Sequence, residues 1–455
     1  MCCMSENEEY CSKIESFIST YLSNGKPIAI NFRQLMPEVN GQDRYTHLIH
    51  PYPAKLLCHI PYFFLRTDYF CPSNGIVLDP FCGTGTVLLE ANLSGRNAVG
   101  ADANPLAVLI SKVKTTYLDP EVLINTLEQL LCQCKRSRYH IKEDTSSIER
   151  WFSASTIEQL GKLERYIGRI DDERIKDFFT LCLSSVVKKV SFCDPRVSVP
   201  VQLNPQRFAN DSKRRNEIEA KIDALQNVNV YEKFEIICRA NINRIATIKE
   251  IAESGVCTQI ISGDARRITQ TLDSDELLPD ESVDMILTSP PYAGAQKYIR
   301  SSWLNLYWLG MKAQEQRSCL HDKNIGRENY QTKLYKTRIE TGIAAADTVL
   351  HALYEEGKNE RAYIVGNYLN EMKIALDESV RVLKKGGYMV IVIGNNTVCG
   401  RPFDTQDYLS TYLEQKGMQI QFKLVDDIKS YGLMTKRNKT ASLITCEWVL
   451  VFRKE

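Results

Sequence analysis

Two short segments of the chain carry the residue types that could do chemistry. Asp79-Pro-Phe-Cys-Gly-Thr-Gly85 and Thr288-Ser-Pro-Pro-Tyr292 each follow a run of apolar, β-prone residues. Gly83 and Gly85 have no Cβ atom, so the first segment can turn tightly and bring a ligand against backbone amides. The second segment is rich in hydrogen-bond acceptors and suits the grip of an exocyclic amino group. The pair predicts transfer of a methyl group to the amine of a base.

The first segment favours a nucleoside ligand without phosphates. Asp102 follows Gly83 at the end of the next predicted strand, where a carboxylate can accept hydrogen bonds from ribose hydroxyls. The third glycine of the dinucleotide signature is missing, and no Gly-Lys-Ser/Thr follows, so pyrophosphate and triphosphate ligands fit poorly. S-adenosyl-L-methionine suits both observations. The alternative is that the glycines only permit a tight turn between strand and helix.

The second segment combines a hydroxyl, two rigid prolines and a ring. Pro290 and Pro291 stiffen the loop and remove two backbone donors, which leaves the Ser289 hydroxyl and nearby carbonyls as acceptors. Acceptors that hold both protons of a base amine favour a pyramidal nitrogen with a free lone pair. Tyr292 offers a face on which a flipped base can stack. A plain Pro-Pro turn is the alternative.

Direct attack by the amine is favoured over a covalent route. The sequence contains no Pro-Cys dipeptide, so the cysteine nucleophile used for carbon methylation of cytosine has no candidate. The fifteen cysteines show no paired spacing typical of zinc sites, and no metal is predicted. The rate is expected to come from positioning and desolvation.

Both segments must be positioned by a sheet with helices on its faces. Apolar runs predict strands, and the segments between them show helical periodicity. This alternation predicts an α/β, Rossmann-like, doubly wound and mostly parallel sheet. The predicted strands are 75–79, 97–102, 259–262, 283–288 and 388–393, with 422–428 and 447–452 as an antiparallel edge. The predicted helices include 86–93, 105–113 and 366–383, the last one closed by Lys384-Lys-Gly-Gly387.

The pattern divides the chain into a catalytic domain and additions to it. Residues 1–46 are interpreted as an N-terminal helical extension, and residues 47–114 with 256–455 as the catalytic domain. Residues 115–255 lose the strand signal and are interpreted as a large helical insertion. Residues 293–362 form a second insertion.

Bulk composition is that of an ordinary globular protein. The 455 residues are 44% apolar and 25% charged, with a net charge of +1. No apolar run is long enough to span a membrane, and residues 1–9 do not resemble a secretion signal, so a cytoplasmic location without membrane contact is expected. Three basic clusters stand out, and each could equally be a solvated surface. They are Lys135-Arg-Ser-Arg138 with Lys142, Lys213-Arg-Arg215, and Lys436-Arg437 with Lys439.

The two motifs together resemble those of the amino-group DNA methyltransferases, which act on cytosine N4 or adenine N6. The resemblance implies a class I methyltransferase fold, S-adenosyl-L-methionine as cofactor and double-stranded DNA as substrate. It makes the insertion 115–255 a candidate for DNA recognition and the insertion 293–362 a further candidate for DNA contact. It implies that Asp79, Pro80, Phe81, Gly83, Gly85 and Asp102 bind the cofactor and that Ser289, Pro290, Pro291 and Tyr292 are catalytic. His50-Pro-Tyr-Pro-Ala-Lys55 resembles an upstream cofactor-contacting segment, which adds Lys55, and Ser262-Gly-Asp264 resembles the strand end that contacts adenine, which adds Asp264.

The serine of Ser289-Pro-Pro-Tyr292 is typical of cytosine-N4 enzymes, whereas adenine-N6 enzymes usually carry Asp or Asn there. Lys297 and Arg300 could contact phosphates and Tyr298 could stack on a base, although an amphipathic helix start explains them equally well. A cognate restriction endonuclease is a candidate partner, and the sequence does not give the oligomeric state. The alternative functions are an adenine-N6 enzyme, an RNA guanine-N2 methyltransferase and a non-catalytic DNA-binding subunit.

Overall fold

A central sheet organises the computed structural model, which describes residues 6–39, 44–52, 55–141, 144–294, 298–427 and 446–455. Its strands are Ile28–Ile30 (β1), Ile76–Asp79 (β2), Asn97–Ala101 (β3), Thr258–Ser262 (β4), Val283–Thr288 (β5), Leu383–Ile393 (β6), Met418–Asp427 (β9) and Cys446–Lys454 (β10). Asn396–Val398 (β7) and Arg401–Phe403 (β8) pair as a separate antiparallel hairpin.

The strand order across the sheet is β1-β9-β10-β6-β5-β2-β3-β4. Every described pair is parallel except those of β10, which runs antiparallel to both β6 and β9. This order confirms the predicted α/β, doubly wound and mostly parallel sheet. The predicted antiparallel edge is present as β9 and β10, but β1 adds a further strand outside β9.

The helices that cover the sheet and form the insertions vary from one turn to more than six turns. They are Glu6–Asn24 (α1), Phe32–Leu35 (α2), His59–Leu65 (α3), Thr86–Leu93 (α4), Pro105–Thr115 (α5), Pro120–Arg136 (α6), Ala154–Ile167 (α7), Glu173–Val187 (α8), Ser212–Gln226 (α9), Val230–Ala246 (α10), Lys249–Glu253 (α11), Tyr298–Trp308 (α12), Gln314–Lys323 (α13), Ala344–Glu355 (α14), Asn359–Val382 (α15) and Thr405–Gln415 (α16). Short 3-10 helices lie at Lys188–Val190, Pro205–Phe208 and Thr332–Lys336. No described helix is long and apolar enough to cross a bilayer.

Apolar residues pack on both faces of the sheet. On one face, side chains of α14, α15 and α16 pack against β5 and β6, with Tyr368, Met389 and Ile391 fully buried. On the other face, α1, α3 and α4 supply a core that includes Phe63 and Phe64. Parallel strands buried on both faces need continuous apolar runs, which is what β5 and β6 have in sequence.

The helical insertion shares its core with the sheet domain. Residues of α6, α7, α8 and α10 pack in one apolar cluster with side chains of α5 and α12. Helix α8 is central to this cluster, since Phe178, Phe179 and Val186 are completely buried. The insertion is therefore built onto the outside of α5 rather than tethered through a linker.

The junction between α15 and β6 differs from the predicted one. Helix α15 ends at Val382, and its C-cap Leu383 is already extended, so Lys384 to Gly387 belong to the strand instead of a glycine cap. Gly386 has φ +75°, and a Cβ on Gly387 would lie 2.9 Å from the carbonyl oxygen of Asp284. The glycines therefore serve a close strand–strand approach beside the register shift between Val283 and Met285.

Candidate functional site

The two predicted loops start from neighbouring strands. β2 and β5 are parallel partners, with Val77 opposite Met285 and Leu78 opposite Ile286. Strand connections run outward in opposite directions from this pair, so it is the topological switch point where open α/β sheets bind ligands. The Thr288 hydroxyl donates a 2.6 Å hydrogen bond to Asp79 Oδ1, although the two residues are 209 positions apart in the chain. The structure thus brings the loops after Asp79 and Thr288 together.

Asp79 forms hydrogen bonds with both loops. Its side chain is 3% exposed, and besides Thr288 it accepts a hydrogen bond of 3.1 Å from the amide of Phe81. Burial raises the pKa of Asp79 to about 7, although the hydrogen bonds from Thr288 and Phe81 oppose this shift. Pro80 is buried and Phe81 is partly buried. Direct cofactor contacts from these three residues stay a prediction.

Asp102, directly after β3, forms a hydrogen bond with the predicted cofactor loop, residues 79–85. Its Oδ2 accepts from the Gly83 amide at 2.9 Å and its Oδ1 from the Asn104 amide at 2.7 Å. Burial raises its pKa to about 6. Each carboxylate oxygen still has acceptor capacity, so the group can also receive a ribose hydroxyl.

Position 85 requires a glycine both because its φ is positive and because a Cβ atom would collide with Ser111. Gly85 caps α4 with φ +69°, and a Cβ there would lie 2.9 Å from Ser111 Oγ and 3.1 Å from Ser111 Cα. The same serine hydroxyl donates to the carbonyl oxygen of Gly83 at 2.9 Å. Helix α5 therefore packs closely against the loop and fixes its path.

The upstream segment approaches this edge through Tyr52. The Asn104 side chain donates to Tyr52 Oη at 2.9 Å and also caps α5 by accepting from the Leu106 amide. The Lys55 ammonium is already engaged by the backbone of its own segment. It donates hydrogen bonds to the carbonyl oxygens of His47 and His50 at 3.0 and 2.8 Å. Burial lowers the pKa of Lys55 to about 8. Its predicted contact with the cofactor stays a prediction, and its observed contacts shape the segment.

A buried polar cluster anchors the same segment to α4. His47 Nε2 lies 2.7 Å from Glu90 Oε1, and Arg44 lies 3.6 Å from the other oxygen of this fully buried carboxylate. Burial lowers the pKa of His47, which leaves the ring neutral near pH 7 and able to donate to Glu90. The Thr46 hydroxyl donates to the carbonyl oxygen of Lys114. Sequence analysis missed this cluster, since neither the spacing nor the residue types signal it.

Later strands hold the Ser289 loop in place. Tyr292 Oη donates to Glu447 Oε1 on β10 at 3.2 Å, and the Asn396 side chain donates to the carbonyl oxygen of Ala293 at 3.0 Å. Ser289 and Pro291 are partly buried, while Pro290 is buried. These anchors fix the loop at both its ring and its backbone. Glu447 and Asn396 were not predicted from the sequence.

Asp264 lies near the cofactor loop but is already paired. The Asp102 amide donates to the carbonyl oxygen of Ser262, two residues before Asp264. The Asp264 carboxylate accepts from the Arg266 guanidinium at 2.8 and 2.9 Å, and Arg266 also reaches Glu371 on α15 at 3.2 Å. The predicted contact of Asp264 with adenine stays a prediction, and the observed pairing ties this corner to α15.

Two of the three predicted DNA-contacting residues, Tyr298 and Arg300, lie in the first turn of α12. Lys297 lies outside the described residues, as do Lys142 and the cluster of Lys436, Arg437 and Lys439. Tyr298 is the first residue of α12. Arg300 is exposed and lies 3.7 Å from Glu328. Ser302, in the next turn, lies 3.5 Å from the Asn104 side chain, so α12 passes directly beside the Asp102 loop.

Comparison with known proteins agrees with this geometry. A family model described as DNA methylase, covering the N6 and N4 enzymes, matches residues 43–113 and 283–455, together more than half of the chain. The chain is 24% identical over 413 residues to the type II methyltransferase M.MvaI of Kocuria varians, an alignment that covers 87% of each chain. It is 23% identical over 430 residues to the type II methyltransferase M.BsoBI of Geobacillus stearothermophilus, covering 83% of this chain and 78% of that protein.

A glycine pair tests the account of the cofactor loop. We expect Gly85→Ala to lower the free energy of unfolding by about 2–4 kcal/mol, since it adds a clash with Ser111 to the strain of a left-handed residue. Gly95 is the matched control, because it has φ +73° and a Cβ added there would meet nothing within 4 Å, so Gly95→Ala should cost only about 1 kcal/mol. Urea denaturation measures both. Equal losses would contradict the packing argument.

Proposed function

The chain belongs to the N6/N4 DNA methylase family, and we propose that it methylates N4 of cytosine in double-stranded DNA. Family membership confirms the predicted resemblance and makes the protein a DNA methyltransferase that uses S-adenosyl-L-methionine as methyl donor. The choice of cytosine, the duplex substrate and the roles of individual residues are the proposal. The single observation that carries it is the contact between Thr288 and Asp79, which sets an amine-gripping loop beside a nucleoside-binding loop.

The residues at this edge fit the cofactor. A Cβ at Gly83 would meet only the carbonyl oxygen of Phe81, at 3.9 Å, so this part of the loop leaves room for a ligand, and Asp102 presents carboxylate oxygens for ribose hydroxyls. The N-terminus of α5 is capped by the Asn104 side chain, and the residues around it do not form a glycine-rich phosphate-binding loop. This agrees with a ligand that lacks phosphate. When bound, S-adenosyl-L-methionine supplies a methyl group on a positively charged sulfur.

The chain's own residues hold the base and exclude water. The Ser289 hydroxyl accepts a hydrogen bond from one N–H of the amine, and a backbone carbonyl of the Pro290-Pro291 turn accepts one from the other. These two acceptors direct the nitrogen lone pair toward the place where the bound cofactor would supply the methyl group. The proton that the methylated nitrogen then sheds would pass to solvent. Tyr292 stacks on the flipped base, with its ring held by the hydrogen bond to Glu447. Positioning in a partly dry site supplies the rate.

Cytosine is favoured over adenine by Ser289. The short hydroxyl occupies the place where adenine-N6 enzymes usually carry Asp or Asn. The names of M.MvaI and M.BsoBI, both type II methyltransferases, support duplex DNA as substrate and a cognate restriction endonuclease as partner. They do not favour an RNA substrate or a non-catalytic subunit.

Mass spectrometry of the digested nucleosides identifies the methylated base. Protein is incubated with cofactor carrying a labelled methyl group and with unmethylated genomic DNA, and tRNA is supplied in a parallel reaction. After digestion, chromatography with mass spectrometry should find N4-methyl-2′-deoxycytidine among the DNA nucleosides, separated from its 5-methyl isomer. N6-methyl-2′-deoxyadenosine instead would replace cytosine with adenine in the proposal, and label in tRNA alone would reject DNA as substrate.

Replacement of Ser289 tests the grip on the amine. We expect Ser289→Ala to lower kcat by about 10- to 100-fold, since one acceptor for the reacting amine is lost, while cofactor affinity changes less than about twofold. Ser318→Ala, an exposed serine on α13, is the matched control and should keep full activity. Unchanged turnover in Ser289→Ala would remove the hydroxyl from the mechanism.

Cofactor affinity should depend on pH through Asp102. Its pKa is raised to about 6, so the carboxylate that accepts the ribose hydroxyls is neutralised as the pH falls below that value. Affinity for S-adenosylhomocysteine should weaken about tenfold between about pH 7.5 and about pH 5. Calorimetric titration of the wild type and of Asp102→Asn measures this. The variant should bind weakly with a flatter pH profile, and a flat wild-type profile would contradict the role of Asp102.

A further inference from the structure

A small substructure at the end of α8 stands apart from the main cores. It comprises residues 188–226, and we call it the basic wing. It contains a hairpin-like loop closed by the bridge between Cys193 and Gln202, the short helix Pro205–Phe208, and α9. A separate apolar cluster holds it together, made of Phe192, Leu203, Ile218 and Leu225 with the partly buried Phe208 and Ile222. The family match does not include this part of the chain.

The basic wing leaves the helical bundle at the catalytic edge of the sheet. The Asn305 side chain of α12 donates to the Ser184 carbonyl oxygen at 2.8 Å in the last turn of α8. Lys188, four residues later, lines a small cavity together with Ser301 and Ser302 of α12 and with Pro51. Because α12 follows the Ser289 loop and Ser302 lies beside Asn104, the wing starts next to the site where the base must enter.

The wing is ordered by its own contacts. The Lys188 ammonium donates to the Ser198 carbonyl oxygen at 2.8 Å, which folds the tip of the loop back toward α8. Arg196 is held by Asp194 at 2.6 Å. The Arg214 guanidinium lies 4.5 Å from the centre of the Phe208 ring, which joins α9 to the short helix before it. The wing therefore presents its surface in a defined orientation.

That surface carries exposed cations that lack acidic partners within the described parts of the chain. Arg207, Lys213 and Arg214 are exposed, and within the described parts of the chain none of them has an acidic side chain within ion-pair distance. Lys213 and Arg214 lie in the first turn of α9, where the partial positive charge of a helix start repels cations. Helix stability thus favours other residues at these positions, and a polyanion outside the chain would supply the missing counter-charge.

We propose that the basic wing binds the phosphodiester backbone of double-stranded DNA beside the flipped base, through Arg207, Lys213 and Arg214. This inference rests on the proposed function, and it assigns the surface of the protein that holds the DNA duplex. Phosphate contacts fix the register of a protein on DNA without reading its sequence. The wing therefore sets how the duplex lies against the Ser289 loop, and the base-reading contacts lie elsewhere.

Removal of the three charges tests the proposal. In the variant Arg207→Gln, Lys213→Gln and Arg214→Gln, the logarithm of the affinity for sheared genomic DNA should fall less steeply with the logarithm of salt concentration. Three lost phosphate contacts predict a slope smaller by about 2.7, since each contributes about 0.9. Fluorescence anisotropy at several salt concentrations measures it. The KM for DNA should rise at least tenfold at low salt, with kcat at saturating DNA unchanged.

The basic cluster of Lys135, Arg136 and Arg138 provides a control of equal charge. Its neighbour Tyr139 packs against Arg165 near the C-terminal end of α7, with 4.3 Å from the guanidinium to the ring centre. The N-terminal end of α7 lies beside the wing, because the Phe192 amide donates to the Trp151 carbonyl oxygen just before that helix. The 14 residues of α7 separate the two ends by about 21 Å. The triple glutamine variant of this cluster should keep the wild-type salt slope.

The outcomes separate this inference from the proposed function. A wild-type cofactor affinity shows that the fold of the wing variant is intact, and the thermal unfolding midpoint should fall only slightly, because the contact between Arg214 and Phe208 is lost. If the wild type methylates DNA and the wing variant has the wild-type salt slope and KM, the wing proposal is overturned while the function stands. An equal loss in the control variant would also overturn it, since charge alone would then explain the effect. If the wild type methylates no DNA, the proposed function itself fails.

Discussion

Parallel pairing of β2 with β5 is the constraint on which the site depends. Strand connections leave this pair in opposite directions, so the loops after Asp79 and Thr288 have no crossover between them. The hydrogen bond from Thr288 to Asp79 then fixes the spacing of the two loops in a buried environment, where an unpaired carboxyl would be costly. The elevated pKa of Asp79 reflects that environment. In the proposed function, cofactor and base meet at this join.

Much of the sheet could be predicted from the sequence because its central strands are buried on both faces. Such strands are continuous apolar runs, and the predicted 283–288 coincides with β5. The helix predicted at 86–93 coincides with α4. Strand β1 was not predicted, since its three residues join the sheet only through a partner some 400 positions later in the chain, a pairing that local periodicity cannot reveal. The glycines after α15 were misinterpreted because a helix cap and a close strand approach call for the same residue.

The place of the motif residues in the fold could be predicted, but the residues that contact them could not. Asp102 was expected at a strand end, and it lies directly after β3, because the end of a second strand is a fixed place in this topology. Glu447, which accepts from Tyr292, and Glu90, which pairs with His47, have no sequence signal because each contact joins distant elements. Asn104 did have one, since an Asn-Pro pair before a helix is typical of an N-cap followed by the first helical residue. Lys55 shows that a residue of a recognisable motif can form its hydrogen bonds with the backbone of its own segment.

The position of β10 has a consequence for how this protein is made. β10 lies between β6 and β9, and β1 is joined to the sheet only through β9. A ribosome therefore releases α1 and β1 first, yet their place in the sheet exists only after residues 446–454 have emerged and paired. Contacts of such sequence separation close slowly. Tyr10 and Phe17 of α1 can contact Phe63 of α3 early, but the side of α1 that packs on Phe422 of β9 stays uncovered through nearly the whole synthesis of the chain, which is the period when chaperones have the most to protect.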